Sequence, residues 1–376
     1  MISVVLFALL STVCNGVLLP RPSGQFQVSM SNSELVDKTR KDPWGLDTID
    51  HRRIMISRFD PVPPNSCYRN EKVPYMPPVV AAAEDNILAP YGWPAGVLGS
   101  IEVVFCSPKT SPPINTRETP VVVLSTGLNT TRFYYAAFAQ EVASRGFTVI
   151  SIDHPFETDI VEFPDGTIAL GGNTNKSDVA SIEFSLSTRV DDTSFLLNEL
   201  GIKGSGRNSK AVMFGGSFGG AAAAAAMMND TRIRGGVNLD GALWGPVVNV
   251  GFDNPGTKQS FILWGAEGHN TTSADDWGKF WSMLTKQRVW KKELSLTGGA
   301  HAAFWDLPFI ADVAEVRDKM PDDMEEALLG LFPGARAIKI VADYLHDFFH
   351  FVLDEKPEEG LLSGPNPAYP EVQFLG

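Results

Sequence analysis

The chain has 376 residues, of which 44% are hydrophobic and 20% charged, and its formal net charge at pH 7 is −13. This composition is typical of a folded protein with a sizeable core, in one large domain or two smaller ones. The negative charge and the lack of basic clusters argue against nucleic acid as a partner and against electrostatic attachment to an anionic membrane.

Residues 1–16 have the pattern of a cleaved signal peptide. A short apolar run ends at Cys14-Asn15-Gly16, and it is too short to span a bilayer. Basic residues are missing from its start, so a buried N-terminal strand is the alternative. Cleavage would leave two cysteines, Cys67 and Cys106, which we expect to form a disulfide in an exported chain. Export is also consistent with the four N-glycosylation sequons, at Asn129, Asn175, Asn229 and Asn270. We therefore expect a secreted protein.

Residues 17–95 are rich in proline and aromatic residues. We interpret them as an N-terminal extension wrapped over the core, because so many apolar residues argue against disorder. Residues 96–376 then form the catalytic domain. Regular strands are predicted to begin at Ile101, and the apolar run from Pro120 to Ser125 is typical of a strand buried on both faces.

Strand and helix signals alternate from that point on. Together they predict an α/β fold, with a mostly parallel central sheet flanked by helices and no internal boundary. The predicted elements are a helix at 133–145, a strand at 147–153, a helix at 187–200, strands at 210–214, 234–239, 260–264 and 289–296, and a closing helix at 338–353.

The most informative motif is Gly215-Gly216-Ser217-Phe218-Gly219, which stands between a predicted strand and a run of six alanines that favours a helix. Strand, G-x-S-x-G and helix form the nucleophile elbow of the α/β-hydrolase fold, a turn that exposes its serine at the top of the sheet. The alternative is a plain glycine-rich turn. We predict that Ser217 is a catalytic nucleophile.

A serine nucleophile needs a histidine base and an acid that orients it, and in this fold the chain order is serine, acid, histidine. His51 and His154 precede Ser217, and His346 and His350 lie on the closing helix. Of the remaining two, His301 follows a predicted strand in a loop of small residues, whereas His269 heads a sequon and is interpreted as a solvent-facing loop residue. Asp240, at the end of the strand 234–239, is the predicted acid, with Glu267 and Asp306 as competitors.

An oxyanion hole requires two N–H donors. Phe218 follows the nucleophile and supplies one. The loop after the strand 121–125 should supply the other, and Leu128 is the predicted donor because Gly127 can adopt the backbone angles that turn the next amide inward. Trp244 and Phe304 are candidate substrate-binding residues, although aromatic residues at such places can equally belong to the core.

The same residues resemble the secreted platelet-activating factor acetylhydrolases. The resemblance rests on Ser125-Thr126-Gly127-Leu128, on Gly-x-Ser-Phe-Gly-Gly, on Asn238-Leu239-Asp240 and on a histidine followed by Phe304 and Asp306. It implies an α/β-hydrolase with the triad Ser217, Asp240 and His301, oxyanion donors Leu128 and Phe218, and no metal or other cofactor. It also implies a small ester or phospholipid substrate, cleaved at a short acyl group in the sn-2 position. Whether the protein makes transient lipid-surface contact is left open by the sequence.

Two departures from that family concern substrate preference rather than chemistry. Thr126 in the oxyanion loop and Gly216 in the elbow both stand at positions where the family often has histidine. Neither removes a backbone donor. The segment from Asp153 to Glu157 resembles the fungal and bacterial branch of the family. Asp153 and His154 can be interpreted as a second acid–base pair or as polar residues at the rim of the pocket.

Two other functions remain open at this point. One is a lipase or polyester hydrolase that acts on long chains, and the sequence does not separate it from a short-chain esterase. The other is a catalytically silent α/β-hydrolase used as a binding module, which the intact Ser217, Asp240 and His301 disfavour.

Overall fold

The computed structural model of the protein describes residues 16–44, 51–108, 120–203, 210–252 and 258–376. Apart from Gly16, the predicted signal peptide lies outside the described residues, and so does Cys14 within it.

Fourteen strands and ten helices are present in these ranges. The strands are β1 Val17–Leu18, β2 Gln27–Asp37, β3 Arg52–Val62, β4 Cys67–Pro74, β5 Ile101–Pro108, β6 Val121–Ser125, β7 Thr148–Asp153, β8 Ile160–Glu162, β9 Ile168–Leu170, β10 Ala211–Gly216, β11 Ile233–Leu239, β12 Ser260–Ala266, β13 Trp290–Leu296 and β14 Val372–Phe374. The helices are α1 Pro78–Leu88, α2 Val97–Ser100, α3 Ala136–Ala143, α4 Val179–Glu199, α5 Phe218–Asn229, α6 Val247–Val250, α7 Asp275–Lys286, α8 Leu307–Val313, α9 Asp322–Leu329 and α10 Gly334–Leu353.

Nine strands form the central sheet in the order β14-β13-β12-β11-β10-β6-β7-β3-β2. The six strands from β13 to β7 are parallel, and β14, β3 and β2 join them in antiparallel fashion. Such a mostly parallel sheet with helices on both faces confirms the predicted α/β-hydrolase architecture. In a parallel sheet the carboxyl ends of the strands meet at one edge, so the residues that follow β6, β10, β11, β12 and β13 are brought together there.

The prediction that regular strands begin at Ile101 is wrong, because β2 and β3 pair over their full lengths and β3 continues the central sheet through β7. Charged residues inside a buried strand conceal the signal. Arg52 of β3 is fully buried and its Nη2 lies 2.7 Å from Asp192 Oδ2, so an ion pair satisfies a residue that apolar periodicity would assign to the surface. The boundary at residue 95 stays a prediction.

The predicted disulfide is confirmed. Cys67 and Cys106 are bonded, with Cα atoms 5.7 Å apart, at one end of a small sheet in which β5 lies between β1 and β4. The bond ties the segment before α1 to the strand that leads toward the central sheet.

Helix α5 lies directly behind the nucleophile turn and is built almost entirely of small residues. Ala221–Ala224 have no exposed surface, and the helix packs against β10, β11 and α4. On this face of the sheet α4, α5 and α7 enclose one hydrophobic core, and α3 and α10 cover a second core on the opposite face. Within the described ranges, no helix has both the length and the apolar character needed to cross a bilayer.

Candidate active site

The turn between β10 and α5 has the strained geometry of a nucleophile elbow. Ser217 has φ 54° and ψ −127°, a conformation that side chains rarely adopt, and its N–H donates to Leu239 O at 2.8 Å. A Cβ added at Gly215 would lie 2.3 Å from Ser125 O, and one at Gly219 would lie 2.0 Å from the same oxygen. The two glycines are therefore required by the close approach of β6, and Ser217 itself stays partly exposed.

Asp240 and His301 are brought together as predicted. Asp240 follows β11, is nearly buried, and its Oδ2 lies 2.6 Å from His301 Nδ1. His301 sits in the loop after β13, and 59% of its side chain is exposed. With Nδ1 directed at the carboxylate, Nε2 is the ring atom left to exchange a proton with Ser217.

His269 also reaches Asp240, and the interpretation of His269 as a solvent-facing loop residue is wrong. Its Nδ1 lies 2.8 Å from Asp240 Oδ1, which also accepts a hydrogen bond from Ala266 N–H at 2.7 Å. Burial acts to raise the pKa of Asp240, but the hydrogen bonds from the two imidazoles and one backbone N–H outweigh it and lower that pKa to about 2. The carboxylate is therefore ionised across the neutral pH range. The position of His269 after β12, next to the end of β11, is the sequence signal that could have found this contact.

Among the described residues, neither competing acid has a hydrogen bond or ion pair to a histidine. Glu267 is exposed, and its Oε2 accepts a hydrogen bond from Gly298 N–H at 2.7 Å, at the start of the loop that carries His301. Asp306 is fully buried and accepts hydrogen bonds from Tyr75 Oη at 2.8 Å and from two N–H groups at the start of α3. Burial raises the pKa of Asp306 to about 7 despite these donors. Both carboxylates hold the surrounding backbone in place.

The loop after β6 is held by a buried arginine that the sequence did not single out. Arg189 of α4 is fully buried, its guanidinium donates to the carbonyl oxygens of Thr126 and Gly127, and it also forms an ion pair with the carboxylate of Glu157. The same guanidinium lies 4.7 Å from the centroid of the Phe218 ring. Arg189 thus contacts both segments that carry the predicted oxyanion donors.

These contacts orient the peptide planes of the loop. Gly127 N–H donates to Tyr135 Oη at 3.1 Å, while Gly127 O accepts from Arg189 Nη2 at 3.0 Å. In a planar trans peptide the C=O and the next N–H point in opposite directions, so Leu128 N–H is turned away from Arg189. Burial raises the pKa of Tyr135 to about 12, which keeps its hydroxyl protonated. Phe218 is the first residue of α5, where the N–H has no partner within the helix.

The role expected of the Gly127 backbone is wrong in one respect. Asn129, with φ 61°, is the residue of this loop that adopts the left-handed conformation. What Gly127 provides is space, since a Cβ there would lie 3.0 Å from Thr130 Oγ1 and 3.7 Å from Ser217 Cβ. The loop therefore passes close to the nucleophile.

Asp153 and His154 do not form a pair with each other, and both are fully buried rather than at a pocket rim. Asp153 is ion-paired with Arg132, and its Oδ1 accepts Arg132 N–H at 2.6 Å. His154 Nδ1 lies 2.9 Å from Asp192 Oδ2. Burial lowers the pKa of His154. The two residues belong to buried polar contacts that join β7 to its neighbours.

The two aromatic candidates have different environments. Trp244 is partly buried and packs against the hydrophobic cluster that contains Phe218, as Leu128 also does, which keeps it a candidate for the wall of an acyl site. The Phe304 side chain is almost fully buried and contacts Trp264 with ring centroids 6.5 Å apart, so it belongs to the core. Its carbonyl oxygen would lie 3.3 Å from a Cβ at Gly216, and it is thus the Phe304 backbone that borders the elbow.

The sequons differ in accessibility. Asn175 and Asn229 are exposed and Asn270 is partly buried. Asn129 is partly buried with its Oδ1 enclosed and without a hydrogen-bond partner, and Thr131 of the same sequon has no exposed surface. In the described ranges, no three His, Cys, Asp or Glu side chains are grouped in a way that could hold a metal ion.

The family model and the sequence relatives that match this chain agree on one family. The family model described as platelet-activating factor acetylhydrolase, isoform II, matches residues 97–163 and 185–317. A protein of Arthroderma benhamiae, named probable 1-alkyl-2-acetylglycerophosphocholine esterase, is 40% identical over 98% of this chain and 96% of its own. The platelet-activating factor acetylhydrolase of Cavia porcellus is 26% identical over 56% of this chain and 53% of its own. Among solved structures, a ferulic acid esterase from Streptomyces cinnamoneus superposes with a TM-score of 0.75 at 27% identity, covering 96% of this chain and 100% of that one.

Proposed function

This chain belongs to the platelet-activating factor acetylhydrolase family and is an esterase with the α/β-hydrolase fold. From that premise we propose that it hydrolyses short-chain acyl esters, including the acetyl group at the sn-2 position of phospholipids. The observation that carries the proposal is the hydrogen bond between Asp240 and His301 beside the strained Ser217 turn. A relative that is 40% identical over nearly the whole chain, and whose name specifies that ester, supports the substrate class.

In the proposed mechanism, Ser217 Oγ attacks the ester carbonyl carbon while His301 Nε2 takes the hydroxyl proton. Asp240, ionised because its pKa is about 2, holds the imidazole and stabilises its cationic form. The carbonyl oxygen becomes an oxyanion that accepts hydrogen bonds from the N–H groups of Leu128 and Phe218. Collapse of this intermediate breaks the bond to the leaving alcohol, which receives its proton from the imidazolium.

The acyl-serine is then hydrolysed by the same groups. His301 takes a proton from water, the resulting hydroxide attacks the acyl carbon, and a second oxyanion forms at the same two N–H groups. Its collapse returns the proton to Ser217 Oγ and releases the carboxylic acid. Trp244, which packs against the same hydrophobic cluster as Leu128, is the residue that we propose limits the length of the acyl group.

Initial rates on p-nitrophenyl esters from acetate to palmitate, on a 2-acetyl phosphatidylcholine and on methyl ferulate test this assignment, for the wild type and for Ser217→Ala. We expect the highest kcat/KM at acetate or butyrate, cleavage of the 2-acetyl phospholipid, and loss of all activity in the variant. A maximum at long chains would make the enzyme a lipase. A preference for methyl ferulate would instead align it with the structural relative. Full activity in Ser217→Ala would refute the mechanism, and a folded wild type with no activity on any ester would favour the silent binding module.

We also propose that the protein is secreted. The disulfide between Cys67 and Cys106 supports this, since such bonds persist in oxidising compartments. Asn175, Asn229 and Asn270 are the sequons we expect to carry glycans, and Asn129 is the least accessible acceptor. Expression in a secreting host should release a protein whose mass falls on endoglycosidase treatment, whereas retention of residues 1–16 in the recovered protein would contradict the proposal.

Transient contact with a lipid surface is part of the same proposal. Ile168 and Leu170 of the β8–β9 hairpin and Phe184 of α4 are exposed apolar side chains. The hairpin follows Asp159, whose N–H donates to Asn129 O of the oxyanion loop, so the hairpin lies beside the site. Leu170→Ser should weaken co-sedimentation with phosphatidylcholine vesicles and leave the hydrolysis of soluble esters unchanged. Equal co-sedimentation would remove the hairpin from the contact.

A further inference from the structure

We propose that His269 is a positioning residue of the triad, which fixes the Asp240 carboxylate through the oxygen that His301 does not use. The inference rests on the proposed function, since it requires Asp240 and His301 to act together in catalysis. It concerns a second imidazole on the same carboxylate, in addition to the Ser-Asp-His arrangement.

The two oxygens of Asp240 are divided between different partners. Oδ2 lies 2.6 Å from His301 Nδ1, while Oδ1 lies 2.8 Å from His269 Nδ1 and 2.7 Å from Ala266 N. A carboxylate with a single partner can rotate about its side-chain bonds and turn its plane away from the base. Donors on both oxygens prevent that rotation, and the imidazole at Oδ2 then has one defined direction for its Nε2.

His269 is itself held in place by a closed set of contacts. Its ring packs on the buried indole of Trp277, with centroids 4.1 Å apart, and Trp277 Nε1 donates to Gly241 O at 2.8 Å. Gly241 follows Asp240 directly. The contacts thus run from the Asp240 carboxylate through His269 and Trp277 back to the backbone beside Asp240. Gly265 permits the turn, since a Cβ there would lie 1.9 Å from His269 O.

The need for this support follows from the surroundings of His301. More than half of its side chain is exposed, and Gly298 and Gly299 precede it in the loop. Such a loop offers little packing to define the orientation of the ring, which leaves the Asp240 carboxylate as the main constraint. His269, with 27% of its side chain exposed, has the more restricted environment of the two histidines.

The test compares two substitutions. His269→Leu removes the imidazole donor to Oδ1 and leaves the Ala266 N–H there, whereas His269→Asn keeps an amide N–H near the position of Nδ1. For a short p-nitrophenyl ester we expect His269→Leu to lower kcat by about 10- to 100-fold with little change in KM, as for a misoriented catalytic group, and His269→Asn to recover most of the loss. The matched control is His350→Leu. His350 is also 27% exposed and also directs Nδ1 at a carboxylate, that of Asp354, and its loss should leave kcat unchanged.

A spectroscopic measurement tests the contact independently of activity. Imidazole N–H protons held by a carboxylate resonate far downfield, so the two histidines on Asp240 should give two signals in the wild type, in addition to those of other pairs such as His154 with Asp192. His269→Leu should lose one and His301→Ala the other. Retention of both Asp240 signals in His269→Leu would show that His269 does not donate to Asp240, and would overturn the proposal.

The kinetic outcomes separate this inference from the proposed function. If Ser217→Ala is inactive and His269→Leu equals the wild type, only the positioning role fails. If Ser217→Ala keeps its activity, the proposed mechanism fails whatever His269 does. A third outcome is that both His269→Leu and His269→Asn are inactive while His301→Ala remains active. His269 would then be the base itself, and the positioning role would be overturned.

Discussion

Two loops carry the groups that surround Ser217, and they are held in very different ways. The oxyanion loop, residues 125–129, is fixed by the fully buried guanidinium of Arg189 and by the Tyr135 hydroxyl. The histidine loop, residues 298–301, is exposed at Gly298 and His301 and is tied down by Glu267 and by the carboxylate of Asp240. N–H donors stabilise an oxyanion only when they are oriented in advance, whereas a base must exchange protons with serine, leaving group and water. Rigidity is concentrated where orientation matters most.

The largest effect is expected from Arg189→Met, which removes the charge that orients the oxyanion loop. We expect kcat to fall by about 10²- to 10³-fold, as when an oxyanion donor is lost. Because Glu157 would be left buried without its partner, the free energy of unfolding should fall by about 3–5 kcal/mol. Active-site titration and urea denaturation measure the two effects. Arg232→Met, directly before β11 where the guanidinium pairs with Asp230, is the control. A stable, fully active Arg189→Met protein would mean that other contacts hold the loop.

Gly241→Ala tests how closely the elbow and the Asp240 turn are packed. A Cβ at this position would lie 1.9 Å from Ser217 O, so one of the two turns must move. We expect kcat to fall by about 100-fold and the free energy of unfolding by about 1–3 kcal/mol. Gly99→Ala is the matched substitution, since a Cβ there meets nothing within 4 Å. Equal behaviour of the two variants in kinetics and denaturation would contradict the proposed crowding.

The oxyanion side also contains a buried carboxylate that its surroundings do not stabilise. Glu84 is 1% exposed, and burial together with the negative charge of Asp159 raises its pKa to about 8. The folded state therefore binds this proton more tightly than the unfolded chain. The free energy of unfolding is greatest at pH values below the pKa that Glu84 has in the unfolded chain. It falls as the pH rises toward 8, and at pH 7 it has fallen by on the order of 3 kcal/mol.

Glu84→Gln removes this titration, so the decline in the free energy of unfolding between pH 5 and 8 should become smaller than in the wild type. Urea denaturation at both pH values measures it, with Glu183→Gln on the exposed face of α4 as the control. A decline of unchanged size in Glu84→Gln would assign the pH dependence to another group.

The smallest effect is expected on the histidine loop itself. Glu267→Ala removes a hydrogen bond from an exposed carboxylate to Gly298 N–H, and such bonds contribute little net stability. We expect kcat to fall by less than about tenfold, since Asp240 still orients His301. A loss of two orders of magnitude in steady-state rates would show that this loop is held as firmly as the oxyanion loop, and the contrast between the two would disappear.

The sequence predicted the residues whose positions follow from strand order. Ser217, Asp240 and His301 each come after a parallel strand, and the carboxyl ends of those strands meet at one edge of the sheet. The structure brings Asp240 and His301 together there, and the catalytic roles of all three stay a prediction. His269 likewise follows a parallel strand, β12, and lies at the same edge of the sheet. The sequon at the next residue, Asn270, led to the wrong interpretation of His269 as solvent-facing.

The residues that could not be predicted act across the fold. Arg189 lies within α4, more than 60 positions from the carbonyl groups that it holds, and as a charged helical residue it has the pattern of a surface position. Only the packing of α4 against the oxyanion loop makes its burial necessary. The same reason applies to Arg52 in β3, where an ion pair inside the fold masked a strand of the central sheet. Buried charges that satisfy one another leave no periodic signal in the chain.

The alanine helix α5 has a consequence for how this enzyme tolerates mutation. Ala221–Ala224 have no exposed surface, and a Cβ at Gly220 would lie 2.0 Å from Asn238 Oδ1. Every added methylene would have to push the sheet or α4 aside, because cores packed to this density resist larger side chains. A complete substitution library should therefore show a continuous block of intolerant positions from Gly219 to Ala224. A stretch of low compositional complexity would then rank among the most constrained segments of the chain.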